Sequence, residues 1–255
     1  MTFFDAIILG IVEGVTEFLP VSSTGHLVLA SHLLGIDNEG FIKTFEIAIQ
    51  LGAIGAVGCL YWRKFFLEWE IMKRIVVAFI PTGIIGFFLY GFVKTWLGSP
   101  LVVVGALFVG GILLIVFEKW HQEKDTAKED LSIMSYKTAV LLGIFQALAL
   151  VPGVSRSGAT ILGGLLLGFK RTAIVEFSFL LAVPTMLVAT GYDLCKYGNA
   201  FVVAEWHLLF VGFVTAFFVA LVAVKVFVGF IKRHTFIPFG IYRIGIAILF
   251  FFFVL

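Results

Sequence analysis

The sequence predicts an all-α polytopic membrane protein: an inverted-topology repeat with about six spanning helices and two re-entrant helical hairpins. Composition is the first of three reasons. Of 255 residues, 61% are hydrophobic and 13% charged, where a soluble domain carries about 25% charge, and mean hydropathy is +1.10. Second, two apolar segments, 3–36 and 137–169, are each interrupted by proline, glycine and polar residues. Third, the chain repeats itself. Gly10, Glu13, Val21, Ser22, Thr24 and Gly25 recur as Gly143, Gln146, Val154, Ser155, Ser157 and Gly158, each pair 133 residues apart. A second echo sets F-I-P-T-G-I (Phe79–Ile84) against F-I-P-F-G-I (Phe236–Ile241), and two echoes in order read as duplication. The chain is thus one integral membrane domain, 1–255, with repeat one at about 1–118, repeat two at about 137–255, and a polar loop, 119–136, between them.

Taken in order, residues 3–36 break at Pro20 and again around Gly25, leaving halves shorter than the roughly 20 residues that span a bilayer. A re-entrant helix–turn–helix is predicted there. A spanning helix over 44–62 carries Glu46 and Gln50 on one face and ends in an aromatic–basic belt, Trp62-Arg63-Lys64. Residues 63–74 read as a short polar loop. Spanning helices follow at 75–97 and 101–118, parted by the turn signal Gly98-Ser99-Pro100. The stretch 119–136, with Lys119, His121, Lys124 and Lys128 among Glu123, Asp125, Glu129 and Asp130, reads as a solvated loop. Segment 137–169 is the second broken hairpin, and helices at 174–195, 207–231 and 236–255 complete the chain. Cys59 and Cys195 lie in apolar runs and read as small buried hydrophobes, not a disulfide framework. Met1–Phe4 has no basic character, so no signal peptide is expected.

Basic loops at 63–74, 119–136 and 232–234 belong in the cytoplasm by the positive-inside rule. Segment 137–169 then begins and ends inside, while 3–43 must return the chain to the outer face before residue 44. The two hairpins enter from opposite sides and meet near the midplane, as broken helices of inverted repeats do. The net charge of +2 says little about partners, and no nucleic-acid partner is expected.

The hairpin tips carry the chemistry. The first is E-G-V-T-E-F-L-P-V-S-S-T-G-H (Glu13–His26). Ionisable groups at membrane depth cost about 2.5–3.5 kcal/mol each on insertion scales, and so mark function. Glu13 and Glu17 share a helical face and repel unless a shared proton or a cation lies between them, which makes them candidate ligands of a divalent cation, Mg or Ca. Ser22, Ser23 and His26 follow, offering a nucleophile and an acid–base partner three residues apart. The second tip, P-G-V-S-R-S-G-A-T (Pro152–Thr160), offers the Arg156 guanidinium, hydroxyls of Ser155, Ser157 and Thr160, and amides at Gly153 and Gly158. That set suits an oxyanion, phosphate best of all, although Arg156 also has Glu13 and Glu17 as candidate ion-pair partners. Glu46, Gln50 and Glu176 either support this pocket or bond between helices.

These two motifs resemble the signatures of the undecaprenyl-diphosphate phosphatases of the bacitracin-resistance type. The resemblance extends through K-T-F-E-I-A-I-Q-L-G (Lys43–Gly52), E-F-S-F-L-L-A-V-P (Glu176–Pro184) and F-I-P-F-G-I-Y-R (Phe236–Arg243), covering nearly the whole chain. It implies a multi-pass enzyme of the bacterial inner (plasma) membrane. Such an enzyme hydrolyses undecaprenyl diphosphate to the monophosphate and inorganic phosphate, recycling the cell-wall lipid carrier at the outer face. It implies Glu13 and Glu17 as the acidic pair, Ser23 and His26 as nucleophile and acid–base candidates beside Ser22, and Ser155, Arg156 and Thr160 as diphosphate ligands. It also implies a divalent cation and a homodimer. Whether Ser23, His26 or water attacks phosphorus stays open.

Three rivals compete. A transporter or flippase shares the inverted-repeat architecture. An intramembrane serine protease needs a distant helical histidine, and His207 has no catalytic motif around it. A soluble-type acid lipid phosphatase matches S-S-T-G-H but lacks its lysine–arginine–proline element.

Overall fold

The computed structural model describes residues 1–36, 39–97, 99–123, 126–197 and 205–254. Gly98, Lys124, Asp125 and Leu255, which the sequence reading used, lie outside them. Helices run as α1 (Phe3–Thr16), α2 (Ser23–Leu33), α3 (Glu39–Leu60), α4 (Trp62–Leu67), α5 (Trp69–Leu97), α6 (Pro100–Trp120), α7 (Tyr136–Ala147), α8 (Arg156–Leu166), α9 (Arg171–Tyr197), α10 (Trp206–Ile231) and α11 (Ile237–Val254).

Local chemistry starts the elements. Thr2 caps α1 in a reciprocal box with Asp5, satisfying donors that the first turn leaves free. Ser135 accepts from Thr138 N at 3.1 Å to start α7. Pro100 opens α6 at its first position, where its missing N–H is not needed. Both hairpins turn on a serine in left-handed backbone, Ser22 (φ 70°) and Ser155 (φ 76°), a conformation that costs a residue with a Cβ about 1–2 kcal/mol. The first break therefore runs from Glu17 to Ser22. Gly25, expected to be a second break, lies inside α2 instead. It is there for packing, since a Cβ would stand 3.1 Å from Leu107 of α6.

Four helices are long and apolar enough to cross a membrane, Trp69–Gly91, Pro100–Trp120, Arg171–Tyr192 and Trp206–Ile231, with shorter apolar helices at Thr44–Leu60, Tyr136–Leu150 and Ile237–Phe253. The protein is a multi-pass membrane protein. Its outer surface is apolar, with Phe87, Phe88, Phe210 and Phe252 exposed, as suits a membrane-facing protein. Inside, a continuous core joins Phe18, Phe169, Phe177, Phe179, Phe227 and Phe236.

α10 lies against α3 and α1, α5 against α7, α11 against α6, and α3 against α9. Glycines permit the closest of these contacts. A Cβ on Gly52 of α3 would fall 2.3 Å from the Phe213 carbonyl of α10, and one on Gly143 of α7 would fall 2.0 Å from the Ala78 carbonyl of α5.

Several expectations need correction. The loop 63–74 is largely helical, formed by α4 and the first turn of α5, and Lys64 there pairs with Glu176 of α9. The loop 119–136 is only partly solvated: Leu131 and Met134 insert into the core, and Lys128 bridges to Phe169. Cys59 and Cys195 are exposed rather than buried. The echo of Phe79–Ile84 in Phe236–Ile241 joins unlike places, because the first lies within α5, against α7, and the second opens α11, against α6.

Candidate active site

A cavity of about 250 Å³ opens where the two hairpin tips meet. Glu17, Ser22, Ser23 and Thr24 line it from the first tip, Pro152, Gly153, Ser155 and Arg156 from the second, and Gln50 from α3. Ala149, Leu150, Met186 and Ala189 form its apolar side. The first turns of α2 and α8 therefore both border the cavity. Helix N-termini favour an anion through their first-turn amides and positive dipole ends.

Glu17 is the junction. The Ser23 hydroxyl donates to its Oε2, and Arg156 Nη2 donates to its Oε1 at 3.2 Å. Arg156 is held from behind by Nη1 donating to the Ser178 carbonyl at 3.0 Å, with its guanidinium 6.0 Å from the Phe18 ring centroid. The tips also touch directly, the Ser157 hydroxyl donating to the Leu19 carbonyl at 2.7 Å. Nucleophile candidate, carboxylate and guanidinium, predicted separately from two motifs, thus form one hydrogen-bonded chain.

Glu13 lies behind Glu17, fully buried, and neither of its oxygens receives a hydrogen bond. Glu17, Glu46 and Arg156 are within electrostatic reach of it. An acidic group so placed needs a proton or a cation. Among the described residues no group of three or more His, Cys, Asp or Glu side chains is arranged around a metal position. The Glu13–Glu17 pair suits a hard cation that takes one or two protein carboxylates and fills its shell with water and phosphate oxygens, the habit of Mg²⁺.

Other predicted residues are bonded within the tips. Ser155 Oγ accepts from Gly158 N at 3.2 Å and meets Ser157 Oγ at 3.1 Å. The Thr160 hydroxyl donates to the Arg156 carbonyl at 3.0 Å. Ser157 and Thr160 are buried and shape the second tip without lining the cavity. His26 is buried too, and its ring is used on both sides. Nδ1 lies 2.8 Å from the Ser22 carbonyl, so it must carry the proton, and Nε2 lies 2.7 Å from Tyr242 Oη, accepting from that hydroxyl in the neutral ring. It does not contact Ser23 through either nitrogen. Of the accessory residues, Gln50 reaches the cavity, Glu46 neighbours Glu13, and Glu176 serves α4.

Sequence reasoning overlooked Tyr242 and Arg243. The signal was present for the second, a charged residue near the middle of the apolar run 236–255, which is the same criterion that exposed Glu13 and Arg156. The glutamine that echoes Glu13 has a structural part: Gln146 donates to Thr82 and Thr185 hydroxyls at 2.9 and 3.1 Å.

Comparison with known proteins agrees with the motifs. The chain is 55% identical over 251 residues to a Sulfurihydrogenibium protein named undecaprenyl-diphosphatase, covering 98% of this chain and 99% of the relative. Proteins of the same name from Aquifex aeolicus and Wolinella succinogenes are 52% and 54% identical, each match covering at least 98% of both chains. Residues 6–249 match the family described as bacitracin resistance protein BacA, and the chain belongs to that family.

Proposed function

We propose that this protein is an undecaprenyl-diphosphate phosphatase, a membrane hydrolase releasing inorganic phosphate and undecaprenyl phosphate and so recycling the lipid carrier of cell-wall synthesis. The observation that carries it is the meeting of Ser23, Glu17 and Arg156 at one cavity bordered by two helix N-termini. A phosphoanhydride needs little covalent help from the protein; positioning and charge neutralisation suffice. The apolar side of the cavity, with Leu150 and Met186, suits the first isoprene units.

Ser23 Oγ attacks the β-phosphorus as its proton passes to Glu17, and the bond to the α-phosphate's bridging oxygen breaks, releasing undecaprenyl phosphate. Water then attacks the phosphoserine, Glu17 returns its proton to the departing Ser23 oxygen, and inorganic phosphate leaves carrying the protons of that water. Arg156 turns from Glu17 toward the phosphoryl oxygens, and the α2 and α8 amides share their charge. Glu13 and Glu17 would hold a divalent cation, Mg or Ca, which when bound neutralises further phosphate charge. His26, bonded to Ser22 and Tyr242, orients the α2 turn that presents Ser23.

The protein sits in the bacterial inner membrane with its basic loops inside and the cavity open to the outer face. Its two halves form an inverted repeat, with about six crossings counting α3 and α11. Ser22 and Ser155 share backbone geometry, each beginning an 11-residue helix. The packing of α1 on α10 and of α7 on α5 supports the same reading. A homodimer is compatible with the apolar surface.

The test is phosphate release from undecaprenyl diphosphate by purified protein in detergent, with and without chelator. Wild type is expected to release phosphate and to lose activity with chelator, whereas Arg156→Ala and Glu17→Ala are expected to be inactive. No release from folded wild type across Mg²⁺, Ca²⁺ and Mn²⁺ would overturn the assignment.

A further inference from the structure

Arg243 on α11 is 1% exposed. A guanidinium has five N–H donors in a fixed fork and keeps its charge in proteins. Here the fork is fully engaged. Nε donates to the Leu107 carbonyl at 3.3 Å, Nη1 to those of Pro20 and Val154 at 3.3 and 3.0 Å, and Nη2 to those of Ala106 and Gly153 at 3.0 and 2.8 Å. Every acceptor is a backbone carbonyl. Two belong to α6, one to the first hairpin tip and two to the second.

The acceptors are matched between the tips. Pro20 and Gly153 are 133 residues apart, the interval that relates Ser22 to Ser155. Pro20 stands three residues before Ser23, and Gly153 three before Arg156, so one side chain holds the approach to each functional residue. Glycines make room for it. A Cβ on Gly110 of α6 would lie 2.2 Å from Arg243 Nη2, and Gly153 adopts φ +93°, where a Cβ would also meet the Val103 carbonyl at 2.7 Å. A buried charge without a carboxylate partner is expensive, and a leucine would pack α11 against α6 without that cost. What leucine cannot do is fasten two non-helical turns to each other and to a rigid helix.

We propose that Arg243 is a positioning residue of the phosphatase site, its guanidinium setting the spacing between the tip that presents Ser23 and Glu17 and the tip that presents Arg156. This rests on the tips being the phosphate site. The chemical step is more sensitive to such spacing than binding is, because misplacement by about 1 Å can cost roughly 100-fold in rate. A lysine keeps the charge, but its three donors radiate from one point and cannot span the five carbonyls.

The experiment measures kcat, KM and melting temperature for wild type, Arg156→Lys, Arg243→Lys, Gly110→Ala and the Arg243→Lys/Arg156→Lys double variant on undecaprenyl diphosphate in detergent. Wild-type turnover and its loss in Arg156→Ala establish the site independently of Arg243. Arg243→Lys is expected to lower kcat about 100-fold while KM moves less than about threefold. In its background Arg156→Lys should cost far less than it does in wild type, because misaligned tips no longer couple. Gly110→Ala, which displaces the guanidinium without removing it, should give the same kinetic pattern and decides the matter if Arg243→Lys does not fold. Folded variants with kcat within about threefold of wild type, or losses that multiply independently in the double variant, would overturn the proposal.

Discussion

Glu17 serves two partners at once, Ser23 on one oxygen and Arg156 on the other, and this double use explains how a buried carboxylate stays ordered. Removing one member of a buried pair leaves the other uncompensated and costs about 3–5 kcal/mol, so Arg156→Ala leaves Glu13, Glu17 and Glu46 close together without their cation. Glu17→Gln is the gentler probe. It keeps shape and hydrogen bonding but cannot take the Ser23 proton, and phosphate release should fall about 10²–10⁴-fold with the melting temperature little changed. Ordinary activity in Glu17→Gln would assign proton transfer elsewhere. Tyr242→Phe removes only the hydroxyl facing His26 and leaves the ring stacked 5.5 Å away. A hydrogen bond is worth about 0.5–1.5 kcal/mol net, so kcat should drop by up to about tenfold at constant KM. An unaltered kcat would mean that His26 acts without Tyr242.

At the scale of elements, helix packing here depends on small residues rather than on apolar side chains, as expected where lipid tails compete equally for apolar surface. Gly52 and Gly58 lie on the same helix and separate two roles of glycine. A methyl group at Gly52 would meet the Phe213 carbonyl, a fixed atom, whereas nothing lies within 4 Å of the one built at Gly58. Gly52→Ala should push α3 from α10 and destabilise by about 1–3 kcal/mol, while Gly58→Ala should be neutral or stabilise by up to about 1 kcal/mol through helix propensity. Thermal unfolding in one detergent checks both, and equal melting temperatures would refute the packing account. Helix ends are secured by polar contacts: buried Glu118 accepts from the Phe236 amide at 3.0 Å and from Arg171 Nη2 at 2.8 Å, joining α6, α9 and the start of α11.

For the whole molecule, the arrangement solves a transport problem as well as a chemical one. A diphosphate cannot leave water cheaply and a long isoprenoid cannot leave lipid, so the cavity must touch both. If the two hairpins stop halfway, as proposed, they provide polar backbone at depth, which is tolerated where protein covers it. The orientation proposed from the basic loops is testable by thiol labelling in a background without Cys59 and Cys195. Ser99→Cys, between α5 and α6, should react with a membrane-impermeant maleimide from outside intact cells. Ile133→Cys, 70% exposed beside α7, should react only after lysis. The reverse pattern would turn the molecule over and place the site at the inner face.

Much of this was determined by the sequence alone, because polar residues in apolar runs are conspicuous and expensive. Glu13, Glu17, Ser23 and Arg156 stand out on that criterion, and so do both broken hairpins and the 133-residue interval. Spacing along a helix also yields local facts, such as Glu13 and Glu17 sharing a face. The tertiary structure decided what depends on contacts between distant segments. It joined Arg156 to Glu17, turned His26 toward Ser22 and Tyr242, withdrew Ser157 and Thr160 from the cavity, and made Gly25 a packing residue instead of a break. It also set the Phe236–Ile241 echo in an unrelated place and gave Arg243 its five carbonyls. None of these is written in periodicity, because a side chain's direction depends on which helix faces it, and that choice is made by packing the whole chain at once.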